Sequence, residues 1–111
     1  MSDLAKINIL GTDYIIKEET EKTNSKLVDV DGLCERFSKE IIIDLSMRDD
    51  RMASNKIEDY FHEVLRHECF HAIFHEAGHH DFSCSENLVD TLAMLWPKIR
   101  EIMDAVDSIK L

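Results

Sequence analysis

From Ser54 to Ile73 the apolar residues Ile57, Phe61, Val64, Leu65, Ala72 and Ile73 fall at helical spacing, and the same stretch carries His67, Glu68 and His71, with His75 just beyond it. No other feature constrains the fold as much. An amphipathic helix of this length must bury its apolar stripe against a second layer, which leaves the histidine-bearing side to line a surface or a cleft. Ser54 is the expected N-cap and Gly78 the expected stop. A second helical segment is expected from near Ser83 or Ser85, with Leu88, Leu92, Leu95, Ile99 and Ile102 at steps of three or four. Pro97 lies inside it and is expected to kink it or to begin a new helix, because proline has no N–H for the preceding turn.

The N-terminal half has a different period. "KINILGTDYIIKEE" sets two β-favouring runs around Gly11, Thr12 and Asp13, a hairpin signal. "LVDVDG" and "EIIIDLS" read as further strands, and "EETEKTNSK" as a charged connecting loop. The expected architecture is α+β: a small antiparallel sheet, a long helix, a short loop and a helix that returns. A chain of 111 residues holds one core, so residues 1–111 are expected to form a single domain.

The formal net charge of −10, without a basic stretch to offset it, argues against nucleic acid and anionic membrane as partners. "MSDLAKINIL" lacks the basic-then-apolar order of a secretory signal, and no apolar run approaches the ~20 residues of a bilayer span. Cys34, Cys69 and Cys84 are an odd number without C-x-x-C spacing, so buried free thiols are expected rather than a disulfide framework. A cytoplasmic location follows as the expectation.

His67, Glu68 and His71 spell H-E-x-x-H on the predicted long helix. Residues i and i+4 lie one turn apart on one face, so both imidazoles can reach one ion. Zn²⁺ accepts neutral histidine nitrogens at about 2.0–2.1 Å. Glu68, in the adjoining sector, can contact water without ligating, which is the position of a general base.

A site of this kind needs a third protein ligand. His75 continues the i+4 series, but three ligands along one straight helix span about 12 Å, too far for one ion. The pattern H-E-x-x-H-x-x-G-x-x-H is excluded, because Phe74 and Ala77 stand where it needs glycine and histidine. Glu86 is the preferred third ligand, since "ENLVD" places Asp90 one turn on, where it can accept the outer N–H of a ligating histidine. His79, His80 and Asp81 are the alternatives. Ser83 with Glu86 also fits a capping box, which would commit Glu86 to backbone; Ser85 as N-cap would free it.

"HECFH" followed by "ENLVD" resembles the H-E-x-x-H plus E-x-x-x-D arrangement of gluzincin metallopeptidases. "ENLVDTLAMLWP" is similar to the segment that closes the core of the ImmA/IrrE family. "INILGTDYII", "DGLCERFSKEIIID" and "LRHECFHAIFHEAG" resemble small phage and prophage proteins of that family. The resemblance implies a minimal zincin fold, Zn²⁺ held by His67, His71 and Glu86, Glu68 as catalytic base, and Asp90 behind a ligand. It further implies a peptidase acting on a peptide or protein substrate, with "KEIIIDL" lining the site and pairing with the extended peptide. The interval from His71 to Glu86 is shorter than in thermolysin-like gluzincins, and nothing in the chain supplies their second lobe. Tyr60, His79 and His80 are the candidates for stabilising an oxyanion. The alternative function is a non-catalytic zinc-containing binding protein of phage accessory or anti-defence type on the same scaffold.

Overall fold

The computed structural model describes residues 2–44, 46 and 54–111. Strands β1 (Ser2–Ile9) and β2 (Thr12–Glu18) form a hairpin, followed by a short 3₁₀ turn at Ser25–Leu27. Strands β3 (Gly32–Glu35) and β4 (Glu40–Ile43) complete a four-stranded sheet of order β1-β2-β4-β3. Helices α1 (Ser54–Glu76), α2 (His80–Ser83) and α3 (Glu86–Asp107) follow. The α+β architecture is as expected. Both edge pairings are antiparallel, but the central β2–β4 pair is parallel, because the chain crosses from β2 to the far edge before β4 enters between them.

The hairpin turn falls at Leu10-Gly11, just before the expected position. Both residues have positive φ, 51° and 96°, as a two-residue type I′ turn requires. "LVDVDG" is not a strand; β3 begins only at its last residue, Gly32. There the sheet and α1 approach so closely that a Cβ would lie 3.0 Å from Ile43 Cδ1 and 3.1 Å from Val64 Cγ1. Only glycine fits without displacing the helix.

Side chains alternate along β4, so Ile41 and Ile43 share one face with Ile9, Tyr14 and Ile16, and that face meets Ala72 of α1. Val64, Leu65 and Ile73 extend the contact. Ser54 opens α1, and its side chain lies outside the described residues. The helix ends at Gly78 (φ 82°), where His79 N–H donates to Phe74 O and Gly78 N–H to His75 O. This pair of bonds is a Schellman motif, which stops the helix and turns the chain back. Residues 80–83, expected as loop, close instead into the single helical turn α2.

Helix α3 starts at the Ser85 N-cap, whose hydroxyl accepts from Leu88 N–H. It runs as one element through Pro97, so no new helix begins there. Pro97 cannot donate to Ala93 O four residues back, yet that carbonyl is satisfied: Arg66 Nε of α1 donates to it at 3.0 Å. The defect in one helix thus becomes the anchor for the other. Two residues of α3, Val89 and Ala93, are fully buried. Among the described residues, no helix is long and apolar enough to cross a membrane.

Glu76, at the end of α1, ties three segments together. It accepts from Thr12 Oγ1 (2.9 Å), Tyr14 OH (2.6 Å) and Lys39 Nζ (2.8 Å). Lys39 first, and then the Tyr14 hydroxyl, hold the carboxyl down at about 2.

Arg66→Met should therefore cost about 1–3 kcal/mol, the penalty for stranding a buried carbonyl. In a Pro97→Ala background the cost should shrink, because residue 97 then donates to Ala93 O itself. Denaturant unfolding of the four proteins checks this, and additive effects would refute the shared carbonyl. For Glu76, the folded value lies below the ordinary 4.5, so its contribution is complete above that pH and is lost as pH falls toward 2. Glu76→Gln should flatten the acid limb of the stability profile over that window.

Candidate metal centre

Return of the chain through α2 brings the start of α3 against the middle of α1. His67 and His71 project from consecutive turns of α1 with their Nε2 atoms 3.1 Å apart. Glu86 completes the triangle: its Oε2 is 3.1 Å from His67 Nε2, and its Oε1 is 3.1 Å from His71 Nε2. A tetrahedral ion with bonds of 2.0–2.1 Å sets its ligand atoms roughly 3.3 Å apart, so all three separations suit one cation. These are the three residues that could hold a metal ion among the described residues.

The outer ring nitrogens support the same assignment. His67 Nδ1 lies 2.9 Å from Asp90 Oδ1, and His71 Nδ1 meets the carbonyl of Ser83. Both partners are acceptors, so each Nδ1 carries the proton and each Nε2 presents a lone pair inward. Two lone pairs facing each other and a carboxylate repel unless a cation lies between them. The donor set therefore fits Zn²⁺, with His67, His71 and Glu86 as the residues that would hold it. Ser83 returns the contact, its Oγ donating to His71 O at 2.8 Å. Sequence patterns gave no sign of that role, because a backbone carbonyl has no residue identity.

Glu68 is buried on the same helix and lines the same cleft, a volume of about 610 Å³. Desolvation raises its carboxyl to about 7; the adjacent His67 opposes the shift and Glu86 adds to it. Cys34 and Cys69, half-buried nearby, are pushed up to about 12 and about 11 by burial and by the Glu68 charge. Neither belongs to the group of side chains close enough to share one ion. Cys84, expected to be buried, is exposed, with its Sγ 3.5 Å from His80 Nε2.

The alternatives for third ligand lie elsewhere. His79 stacks on Phe82, His80 contacts Arg36, and Asp81 is solvent-exposed. None of the three lines the cleft, whereas His75 and Arg36 do. Tyr60 lines it too, but its hydroxyl donates to Asp31, and it sits seven residues before His67, roughly 10 Å along α1. The cleft wall opposite α1 is β3 with its flanks, not "KEIIIDL". The reason is topological: β4 lies between β2 and β3, whereas β3 is the edge strand.

Comparison with known proteins gives no matching family model, no matching curated protein and no matching solved structure.

The ligand assignment predicts about one equivalent of Zn²⁺ per chain, lost in His67→Ala. Glu86→Ala should weaken zinc binding well beyond the 10–100-fold typical of removing an outer-shell partner such as Asp90, and Asp81→Ala should leave it unchanged. Zinc titrations of the variants check the order; an intact Glu86→Ala with a crippled Asp81→Ala would move the site onto α2.

Proposed function

We propose that the chain is a zinc-dependent metallopeptidase that hydrolyses peptide bonds. The observation that carries this reading is the triangle of His67, His71 and Glu86 with a buried carboxyl, Glu68, beside it. Zn²⁺ bound there supplies Lewis acidity, making water nucleophilic at neutral pH and polarising the scissile carbonyl. Glu68 takes a proton from the attacking water and gives it to the leaving amine. Burial disfavours the carboxylate form of Glu68 and so favours its uptake of a proton. Asp90 and the Ser83 carbonyl hold the two imidazoles in the tautomer that keeps Nε2 unprotonated. Among the described residues β3 is an edge strand of the sheet, and an extended peptide can add along its outer backbone N–H and C=O groups as a further strand.

The resemblance of "HECFH" and "ENLVD" to gluzincins, and of longer segments to small phage and prophage proteins of the ImmA/IrrE family, supports the same reading. A peptide or protein is accordingly the proposed partner, and nucleic acid is not, given the net charge of −10. All three cysteines are unpaired, which suits a reducing, cytoplasmic compartment.

A second reading keeps the zinc and drops the chemistry, leaving a binding protein of phage accessory or anti-defence type. Its support is specific: of the three expected oxyanion donors, Tyr60 is engaged by Asp31, while His79 and His80 lie outside the cleft. Oxyanion donors commonly contribute about 10²–10³ in rate, so their loss would leave a weak enzyme at best.

The experiment that separates the two is incubation of the zinc-loaded protein with a proteome-derived peptide mixture and mass spectrometry of the products. Cleavage should appear with wild type and fall at least about 100-fold in Glu68→Gln, which retains zinc and the fold. Products unaffected by Glu68→Gln would assign cleavage elsewhere. Zinc binding without products would favour the binding protein.

A further inference from the structure

Charge is divided between the two ends of the cleft. Its acidic and basic lining residues, histidines apart, are Asp31, Arg36, Glu63, Glu68, Glu86 and Asp90. Glu68, Glu86 and Asp90 belong to the proposed zinc site, which leaves Asp31, Glu63 and Arg36 with no part in it. Their order along the cleft follows from the packing of β3 against α1. Tyr60 donates to Asp31, and Gly32 lies against Val64. Arg36 Nη1 donates to His80 Nδ1 at 2.9 Å, beyond the end of α1. Strand and helix therefore pass through the cleft in the same direction. Asp31 and Glu63 stand where α1 enters it, Arg36 stands where α1 leaves, and His67 and His71 lie between. At about 3.3 Å per residue, Asp31 and Arg36 are roughly 16 Å apart along β3. That is the span of about five residues of an extended peptide, with the candidate metal centre inside it.

We propose that the cleft selects an extended peptide with a basic side chain at the Asp31–Glu63 end and an acidic side chain at the Arg36 end, the scissile bond lying between them. This rests on the reading of the cleft as a peptide site, whether the peptide is cleaved or only held. Among the described residues neither Glu63 nor Arg36 has an ion-pair partner. His80 occupies one of the five guanidinium N–H groups, and the Phe37 ring, 5.0 Å from the guanidinium carbon, supports its face. The remaining donors can take a carboxylate in paired hydrogen bonds. Pairing of backbone along β3 is indifferent to sequence, so discrimination falls to side chains that meet these two ends. Selection works by rejection as well. A lysine beside Arg36, or a glutamate beside Asp31 and Glu63, sets like charges together. The net charge of −10 would by itself favour a wholly basic peptide, and the guanidinium at one end opposes that preference locally.

Four end-capped, fluorescently labelled peptides of alanine and serine test this, with two charged residues about five positions apart. One carries lysine then glutamate, one glutamate then lysine, one two lysines and one two glutamates. Anisotropy titrations with the zinc-loaded Glu68→Gln chain, which holds a peptide without turnover, read affinity at about 0.15 M salt. At least one of the mixed peptides should bind at least about tenfold tighter than either like-charged peptide, and its order gives the direction in which it runs along β3. Arg36→Glu should weaken binding of that peptide at least about tenfold and strengthen binding of the two-lysine peptide. Adding Glu63→Lys should move the preference toward the mixed peptide of opposite order. A gain of binding cannot come from misfolding, and zinc content checks the metal centre in each variant. Equal binding of all four peptides overturns the proposal and leaves the peptide reading standing, whereas binding of none overturns both. Selectivity unchanged in Arg36→Glu overturns the place given to the acidic side chain. Selective binding by a wild-type chain that cleaves none of the four upholds the proposal and favours the binding protein over the peptidase.

Discussion

The return of α3 along α1 is the constraint on which the candidate metal centre depends. Two of the three proposed ligands come from α1, where helical spacing alone sets them one turn apart. The third has to be delivered from another element to within a few tenths of an ångström. Three interactions fix that delivery: the Schellman turn at Gly78, the paired bonds between Ser83 and His71, and the Arg66 bond to Ala93 O. The last compensates for Pro97, so the residue that should weaken α3 instead leaves a carbonyl free to bind α1. Glu86 is the first residue of α3, directly after its N-cap, and inherits its position from these contacts.

Burial around the site is selective. The imidazoles are largely covered, at 18% and 15% side-chain exposure, while the carboxylates that face them, Glu86 and Asp90, are open to solvent at 69% and 77%. Desolvation raises the carboxyl of Glu68 above its ordinary value, and burial pushes the Cys34 and Cys69 thiols up as well. At the other end of α1, Glu76 is treated in the opposite way. Three donors stabilise its charge and fasten the hairpin and the β3–β4 connection to the helix. Desolvation dominates at Glu68 and hydrogen bonding at Glu76, which moves two glutamates of one helix in opposite directions from the ordinary value.

Local signals made the helices and the His67, Glu68, Glu86 and His71 geometry legible in the sequence: period, a capping serine, a C-terminal glycine and i,i+4 spacing. The choice between Ser83 and Ser85 as N-cap was not settled by local pattern, because S-x-x-E fits Ser83; the structure has Ser85 there. Sheet order was not. Strands of four residues carry too little pattern to specify partners, so the parallel β2–β4 pair and the edge position of β3 emerge only from tertiary packing. That is why "KEIIIDL", rich in isoleucine because it lies at the centre of the sheet, looked like the cleft wall. The 3₁₀ turn at Ser25–Leu27, just ahead of "VDVDG", and the helical turn at 80–83 are likewise set by their surroundings.

Pattern and burial part company most clearly on α3. Its strongest periodicity belongs to Leu88 through Val106, yet the residues that lose all contact with water are Val89 and Ala93. Periodicity reports which face of a helix is apolar, whereas burial within one chain reports only which part of that face the same chain can cover. Here the body of the domain ends near Trp96, while α3 continues for about three more turns to Asp107. Small residues at 89 and 93 let α3 sit close to α1, and close approach turns the larger leucines sideways, out of that contact. The helix thus divides into three sectors, one packed on α1, one carrying Glu86 and Asp90, and one apolar and uncovered. The last two lie on opposite sides of the helix.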